Sequence, residues 1–158
     1  MKKTLLAFVL FLALSGVAWA AASSTQSLEW IRSTEQQTDM ATLTVEWTTA
    51  EALTGGVTSA LAPHIRDSLK GSYLVAVVTK PSTIAVPSAY NLTLVDQHGA
   101  DVLGGVGATR STTASEQVTP YVGAAYGPRP VSGALTLTIT SGGSGGSGAT
   151  ILYFSRTR

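Results

Sequence analysis

The chain has 158 residues, 44% of them hydrophobic and only 12% charged, with ten Lys+Arg against nine Asp+Glu. That length suits one ordinary domain with a single hydrophobic core. So weak and balanced a charge leaves no electrostatic footprint for nucleic acid and no polybasic membrane patch, and the lack of cysteine excludes a disulfide scaffold, a thiolate metal site and a Cys nucleophile.

Residues 1–20 read as an export signal. Lys2 and Lys3 form a basic start, residues 4–14 are apolar, and Ala18-Trp19-Ala20 places small residues at the −3 and −1 positions of a cut between Ala20 and Ala21. The apolar run is too short for a comfortable spanning helix, so no membrane span is expected in the mature chain. The expected destination is the periplasm or the extracellular space, or a virion if the chain belongs to something living in bacteria. Residues 21–39 are rich in Ser, Thr and Gln, broken by Leu28, Trp30 and Ile31. They read as a flexible N-terminal arm, or as one that docks an aromatic side chain on a neighbour.

Residues 40–158 read as a single all-β domain. Ala41, Leu43, Val45 and Trp47 alternate with Thr42, Thr44, Glu46 and Thr48, the pattern of a strand with one buried and one wet face. Residues 54–70 suggest a hairpin around Gly55-Gly56 followed by a helical turn over residues 65–69. Residues 71–79 are apolar on both faces and suit a central strand. Pro81 and Pro87 bracket a loop. Leu92 and Leu94 then alternate with Asn91 and Thr93, and Leu135, Leu137 and Ile139 with Thr136, Thr138 and Thr140. Residues 149–155 are a last apolar strand. These segments favour the β-branched and aromatic residues that strands accept.

The connections follow from local chemistry. Asp96-Gln97-His98-Gly99 predicts a tight turn with Gly99 at positive φ. Ser141-Gly-Gly-Ser-Gly-Gly-Ser-Gly148, between two strands, predicts a long hairpin loop. With no long amphipathic helix and no repeat of 20 to 50 residues, the expected architecture is an antiparallel β-sandwich or partly closed barrel. Its predicted core is Leu43, Val45, Trp47, Leu74, Val75, Val77, Leu92, Leu94, Leu137, Ile139, Leu152 and Phe154.

Candidate chemistry is sparse. Asp96, His98 and Asp101 lie close in sequence, but they lack calcium-loop spacing and read as turn chemistry. His64, between Pro63 and Arg66-Asp67 in a polar loop, has no nucleophile motif near it. Glu116 with Asp101 as a carboxylate pair rests on two acids among nine. Gly104-Gly105-Val106-Gly107 lacks the Lys-Ser/Thr of a phosphate loop and reads as glycines for a tight turn or a close backbone approach. Arg110 is expected to lock Asp101 in an ion pair, or else to reach across a subunit interface. Asn91-Leu92-Thr93 matches a glycosylation sequon by chance inside a strand. No catalytic residue, metal or cofactor is expected.

The stretch from Tyr73 to Pro81, and that from Ala89 through Asp96-Gln-His-Gly-Ala-Asp101, Gly104-Gly-Val-Gly107 and Arg110, resembles small all-β proteins of tailed bacteriophages and prophages. There a strand ending in Asp-x-x-Gly leads to an Asp, an aliphatic pair, a Gly-rich turn and an Arg before Ser/Thr. The similarity continues through Pro128-Arg-Pro130 to the closing strands and covers most of the chain beyond residue 20. It implies a virion structural or accessory component, without catalytic residues to carry over.

Two functions are therefore expected. One is a non-enzymatic phage-type module acting through contacts with itself or other particle proteins. The other is an exported surface or periplasmic module that binds an envelope partner or glycan. In both, a homo-oligomer or assembly component is expected, with Trp30, Tyr121 and Tyr126 as interface anchors.

Overall fold

The computed structural model describes residues 21–32, 38–49, 56–83, 86, 88–140, 143 and 145–157. The export signal lies outside the described residues. In chain order the elements are β1 (Ser23–Arg32), β2 (Thr38–Thr48), β3 (Val57–Ala60), α1 (Pro63–Leu69), β4 (Tyr73–Pro81), β5 (Asn91–Asp96), β6 (Glu116–Val118), β7 (Tyr121–Val122), β8 (Ala125–Tyr126), β9 (Arg129–Pro130), β10 (Leu135–Thr140) and β11 (Ser147–Thr157). One sheet has the order β1-β2-β11-β4-β6, with β9 also on β4; a second has the order β3-β10-β5. Every ladder is antiparallel. The architecture is an all-β sandwich, not a closed barrel.

Alternation builds the core. Ala41, Leu43, Val45 and Trp47 of β2, and Leu152 and Phe154 of β11, meet Leu92 and Leu94 of β5 and Leu135, Leu137 and Ile139 of β10 in one cluster. Trp47 Nε1 donates to Thr150 Oγ1 at 3.2 Å, and its ring meets Tyr90 edge to face at 5.3 Å, whereas the buried Tyr90 hydroxyl and Arg129 Nε make no hydrogen bond among the described residues. Burial raises the Tyr90 phenol pKa, and the nearby Thr79 hydroxyl offsets this only in part. Helix α1 closes one end. Pro63 starts it, where a missing N–H costs nothing, and Ile65 and Leu69, one turn apart, are its buried residues.

Every predicted core residue is buried except Val75, and its exposure has a geometric cause. β11 pairs Tyr153 with Ala76 and then Phe154 with Leu74, so Val75 is the extra residue of a bulge. The bulge reverses the phase of β4, and Leu74, Val77 and Thr79 all point inward. A strand that is apolar on both faces in sequence is thus one strand with a phase shift.

Three expectations are corrected. Residues 23–32 are not an arm: β1 pairs with β2 in unbroken register from Ser23–Thr48 to Arg32–Asp39. Its Ser, Thr and Gln residues suit a half-exposed edge as well as they suit a loop. Second, β3 pairs with β10 rather than with β2, so β2 and β3 lie in different sheets; Gly55 of the expected hairpin lies outside the described residues. Third, the Gly/Ser segment before β11 is also a crossover, since β10 lies in the smaller sheet and β11 in the larger. Glycine supplies turning freedom, but burial selects the sheet that the next strand joins. Buried Thr49 fixes this crossing: its N–H donates to Gly146 O at 2.8 Å and its Oγ1 accepts from Gly146 N at 2.9 Å.

Candidate interaction surface

The turn after β5 is built by its own residues. Asp96 Oδ1 accepts from His98 N at 2.8 Å and Ala100 N at 3.0 Å, and Gly99 sits at φ +82°. The Ala100 and His98 amides hold the Asp96 carboxyl below its ordinary pKa. A depressed folded-state value stabilises the fold above the unfolded pKa of about 4. That contribution is lost as pH falls through the folded value. Asp96→Asn is therefore expected to lose less stability than wild type between pH 7 and pH 3, read as the shift in urea midpoint.

Past this turn the chain returns along β5 as a strap, residues 101–110. Val102 N donates to Leu94 O and Leu92 N to Gly107 O, both at 2.8 Å. Asp101 anchors the strap through main-chain amides: Oδ1 accepts from Leu94 N (3.2 Å) and Leu103 N (3.0 Å), and Oδ2 from Gly105 N (2.9 Å). Asn91 Oδ1 accepts from Thr109 N at 2.9 Å at the far end. The expected Asp101–Arg110 ion pair is corrected here. Arg110 Nη1 lies 3.7 Å from Glu116 Oε2, while its Nε and Nη2 donate to Ala108 O. Asp101 is spent on amides at one end of the strap and Arg110 sits at the other. Glu116, which also accepts from Ser111 N at 2.6 Å, is the residue that sequence reasoning misplaced.

The remaining titratable groups stand apart. His64 lies exposed in the first turn of α1 rather than in a loop, and His98 is exposed at the β5 turn. Among the described residues no three His, Asp or Glu side chains are grouped to hold a metal ion.

The three aromatic candidates divide. Trp30 alternates inward on β1, packs against the core, and carries the Arg156 guanidinium 4.5 Å above its ring; Arg156 Nη1 also reaches Ser68 O. Its surroundings are those of a residue sealing the sandwich end. Tyr121 and Tyr126 pair edge to face at 5.1 Å across β7 and β8, and Tyr126 is 70% exposed. Tyr126 borders an open groove of about 540 Å³ with Val106, Ala108, Arg110 and Gln117.

The outer face of the larger sheet is a second open surface. Its central row runs Ser27, Thr44, Ile151, Val78, Gln117 across five strands. The neighbouring rows add Tyr153 and Ala76, then Ile31, Met40, Ser155 and Tyr73, with Ile31 60% and Tyr73 46% exposed. Charge on these paired outward positions is confined to Glu29, Glu46 and Lys80. At one end, Glu46, Ala149 and Lys80 edge a shallow groove of about 470 Å³ otherwise lined mainly by Ser and Thr.

Edges matter as much as faces. The strap covers β5, and the Gln26 carboxamide covers β3: Nε2 donates to Ser59 Oγ and Ala60 O at 2.7 Å, and Oε1 accepts from Ala62 N at 3.0 Å. Gln26 is a second residue that sequence reasoning missed; a Gln in a polar run carries no signal of its own. β1 itself is an end strand of the larger sheet. The Thr49–Gly146 bond sets the ladder phase, so that odd-numbered β1 residues bond to β2. The main-chain groups of Ser24, Gln26, Leu28 and Trp30 then face outward along the open edge.

No family model, curated protein or solved structure matches the chain. Among the described residues, no helix is long and apolar enough to cross a membrane. The functional reading therefore rests on the surface itself.

Proposed function

We propose that the protein is a non-enzymatic structural or accessory module, of the kind that its resemblance to tailed-phage all-β proteins implies, acting through protein–protein contacts. The observation that supports this is the outer face of the larger sheet, where Thr and Ser alternate with exposed Ile31 and Tyr73 and half-exposed Ile151 and Tyr153. Threonine offers a methyl and one hydroxyl. Burying it against a partner costs far less than burying an ammonium or a carboxylate. A sheet face with these properties suits another protein better than a small charged substrate.

The test places charge in the middle of that face. Thr44→Lys with Ile151→Lys is expected to keep the β-rich circular dichroism spectrum and to abolish co-sedimentation with candidate particle proteins that the wild-type protein binds. Undiminished co-sedimentation of the folded variant would overturn the reading.

The export-signal pattern of Lys2, Lys3 and Ala18-Trp19-Ala20 favours a second reading, an exported module that uses the same face on an envelope partner. Cell fractionation separates the two. Protein beginning at Ala21 in the periplasm or medium supports export, and unprocessed protein confined to the cytoplasm or to particles counts against it.

A further inference from the structure

We infer that the open edge of β1 pairs antiparallel with the β1 edge of a second copy, so that the larger sheets of two molecules continue across a two-fold axis. This rests on the protein-contact reading above and names the partner and the surface.

The edge is long and unguarded. β1 runs ten residues in unbroken register, with neither Pro nor Lys and no bulge. Proteins usually blunt such edges with prolines, lysines, bulges or covering segments. The strap covers β5 and Gln26 covers β3, yet among the described residues no strand or strap pairs with the outer edge of the longer β1. Glu29 and Arg32 are the charged residues of the strand, and Arg32 is its last.

A second copy fits this edge because the edge is self-complementary. The outward main-chain groups belong to even-numbered residues, and a two-fold axis sets even opposite even. Centred on Leu28, it places leucine against leucine, Gln26 against Trp30, Ser27 against Glu29 and Thr25 against Ile31 of the other copy. No charge opposes its like. Centred on Glu29 the two carboxylates would face each other, and centred on Ser27 each Leu28 would face a Gln26. Of the three, the Leu28 register alone sets leucine on leucine with no like charges opposed.

Sedimentation of the purified protein over a concentration series is the first measurement, and amide hydrogen exchange at low and high concentration is the second. A reversible dimer is expected, with exchange at Gln26, Leu28 and Trp30 slowing as concentration rises, while Ser27 and Glu29, already bonded to β2, stay unchanged. Ser27→Glu sets two carboxylates against Glu29 at both symmetric positions and is expected to raise the dissociation constant about ten-fold. Adding Glu29→Lys restores opposite charges and is expected to recover most of the affinity. Ser27 is exposed and faces Thr44 within its own sheet, so the fold tolerates both changes. A strict monomer at hundreds of micromolar overturns the inference, as does a dimer whose β1 amides exchange unchanged or whose affinity ignores Ser27→Glu. A strict monomer that still co-sediments with particles leaves the broader reading standing; a β1-paired dimer that binds no particle or envelope protein removes the broader reading and keeps the pairing.

Discussion

Gly107→Ala is expected to lower the unfolding free energy by about 3 kcal/mol, and the melting temperature by about 10 °C. A Cβ at this position would overlap the Leu92 carbonyl oxygen, which is backbone and has no rotamer to escape into. The strap must then lift from β5. Lifting it breaks the 2.8 Å bond from Leu92 N to Gly107 O and strains the bond from Thr109 N to Asn91. Leu92 is buried, so its freed amide finds no water. Gly105→Ala is the control. Gly105 sits at φ +83° with nothing within 4 Å of an added Cβ, so it bears only the left-handed penalty of about 1–2 kcal/mol. Urea unfolding of the two variants side by side checks the order. Equal costs would mean that backbone conformation, not close approach to β5, explains these glycines.

The same segment shows what was legible in the sequence. The glycines announced a turn or a close approach, because only glycine answers that need, but not which carbonyl they would approach. The turn at Asp96 and Gly99 was legible because its bonds close within four residues. β2 and β10 were legible because one face of each is apolar and the other Thr-rich, and β5 because Leu92 and Leu94 alternate with Asn91 and Thr93. β1 was not. Its inward residues are Ser24, Gln26, Leu28 and Trp30, and half of them are polar because Ser24 and Gln26 meet Ser59 at the sandwich edge instead of the core. Hydrophobic alternation detects burial, and an edge strand fastened by side-chain hydrogen bonds has little. Partner choice was equally silent. β10 and β11 are neighbours in sequence and lie in opposite sheets, a result of how the whole core closes and not of the six residues between Thr140 and Ser147. The outer face of the larger sheet was visible as Thr and Ser, but its assembly from five strands required the register.

Asp101→Ala is expected to cost about 3 kcal/mol, although the residue touches no charged partner. One carboxylate here satisfies three main-chain amides, and two of them belong to the buried residues Leu94 and Leu103. Removing it strands those two donors away from water, while the Gly105 amide, on an exposed residue, can be rehydrated. Asp101→Asn is expected to cost about half as much, because its carbonyl keeps the Leu94 and Leu103 bonds and its amino group then faces the Gly105 N–H, donor against donor. Arg110→Ala removes a pair that is half exposed on its Glu116 side, and is expected to cost under about 1 kcal/mol. The double variant discriminates between the two possible wirings of the strap. If Asp101 works through amides and Arg110 through Glu116, the two costs add to within about 0.5 kcal/mol. A coupling well above that would mean that the two side chains act on each other. In amide exchange, Leu94 and Leu103 are expected to lose protection first in Asp101→Ala, before any residue of β2 or β11, because the strap peels from β5 while the larger sheet remains closed.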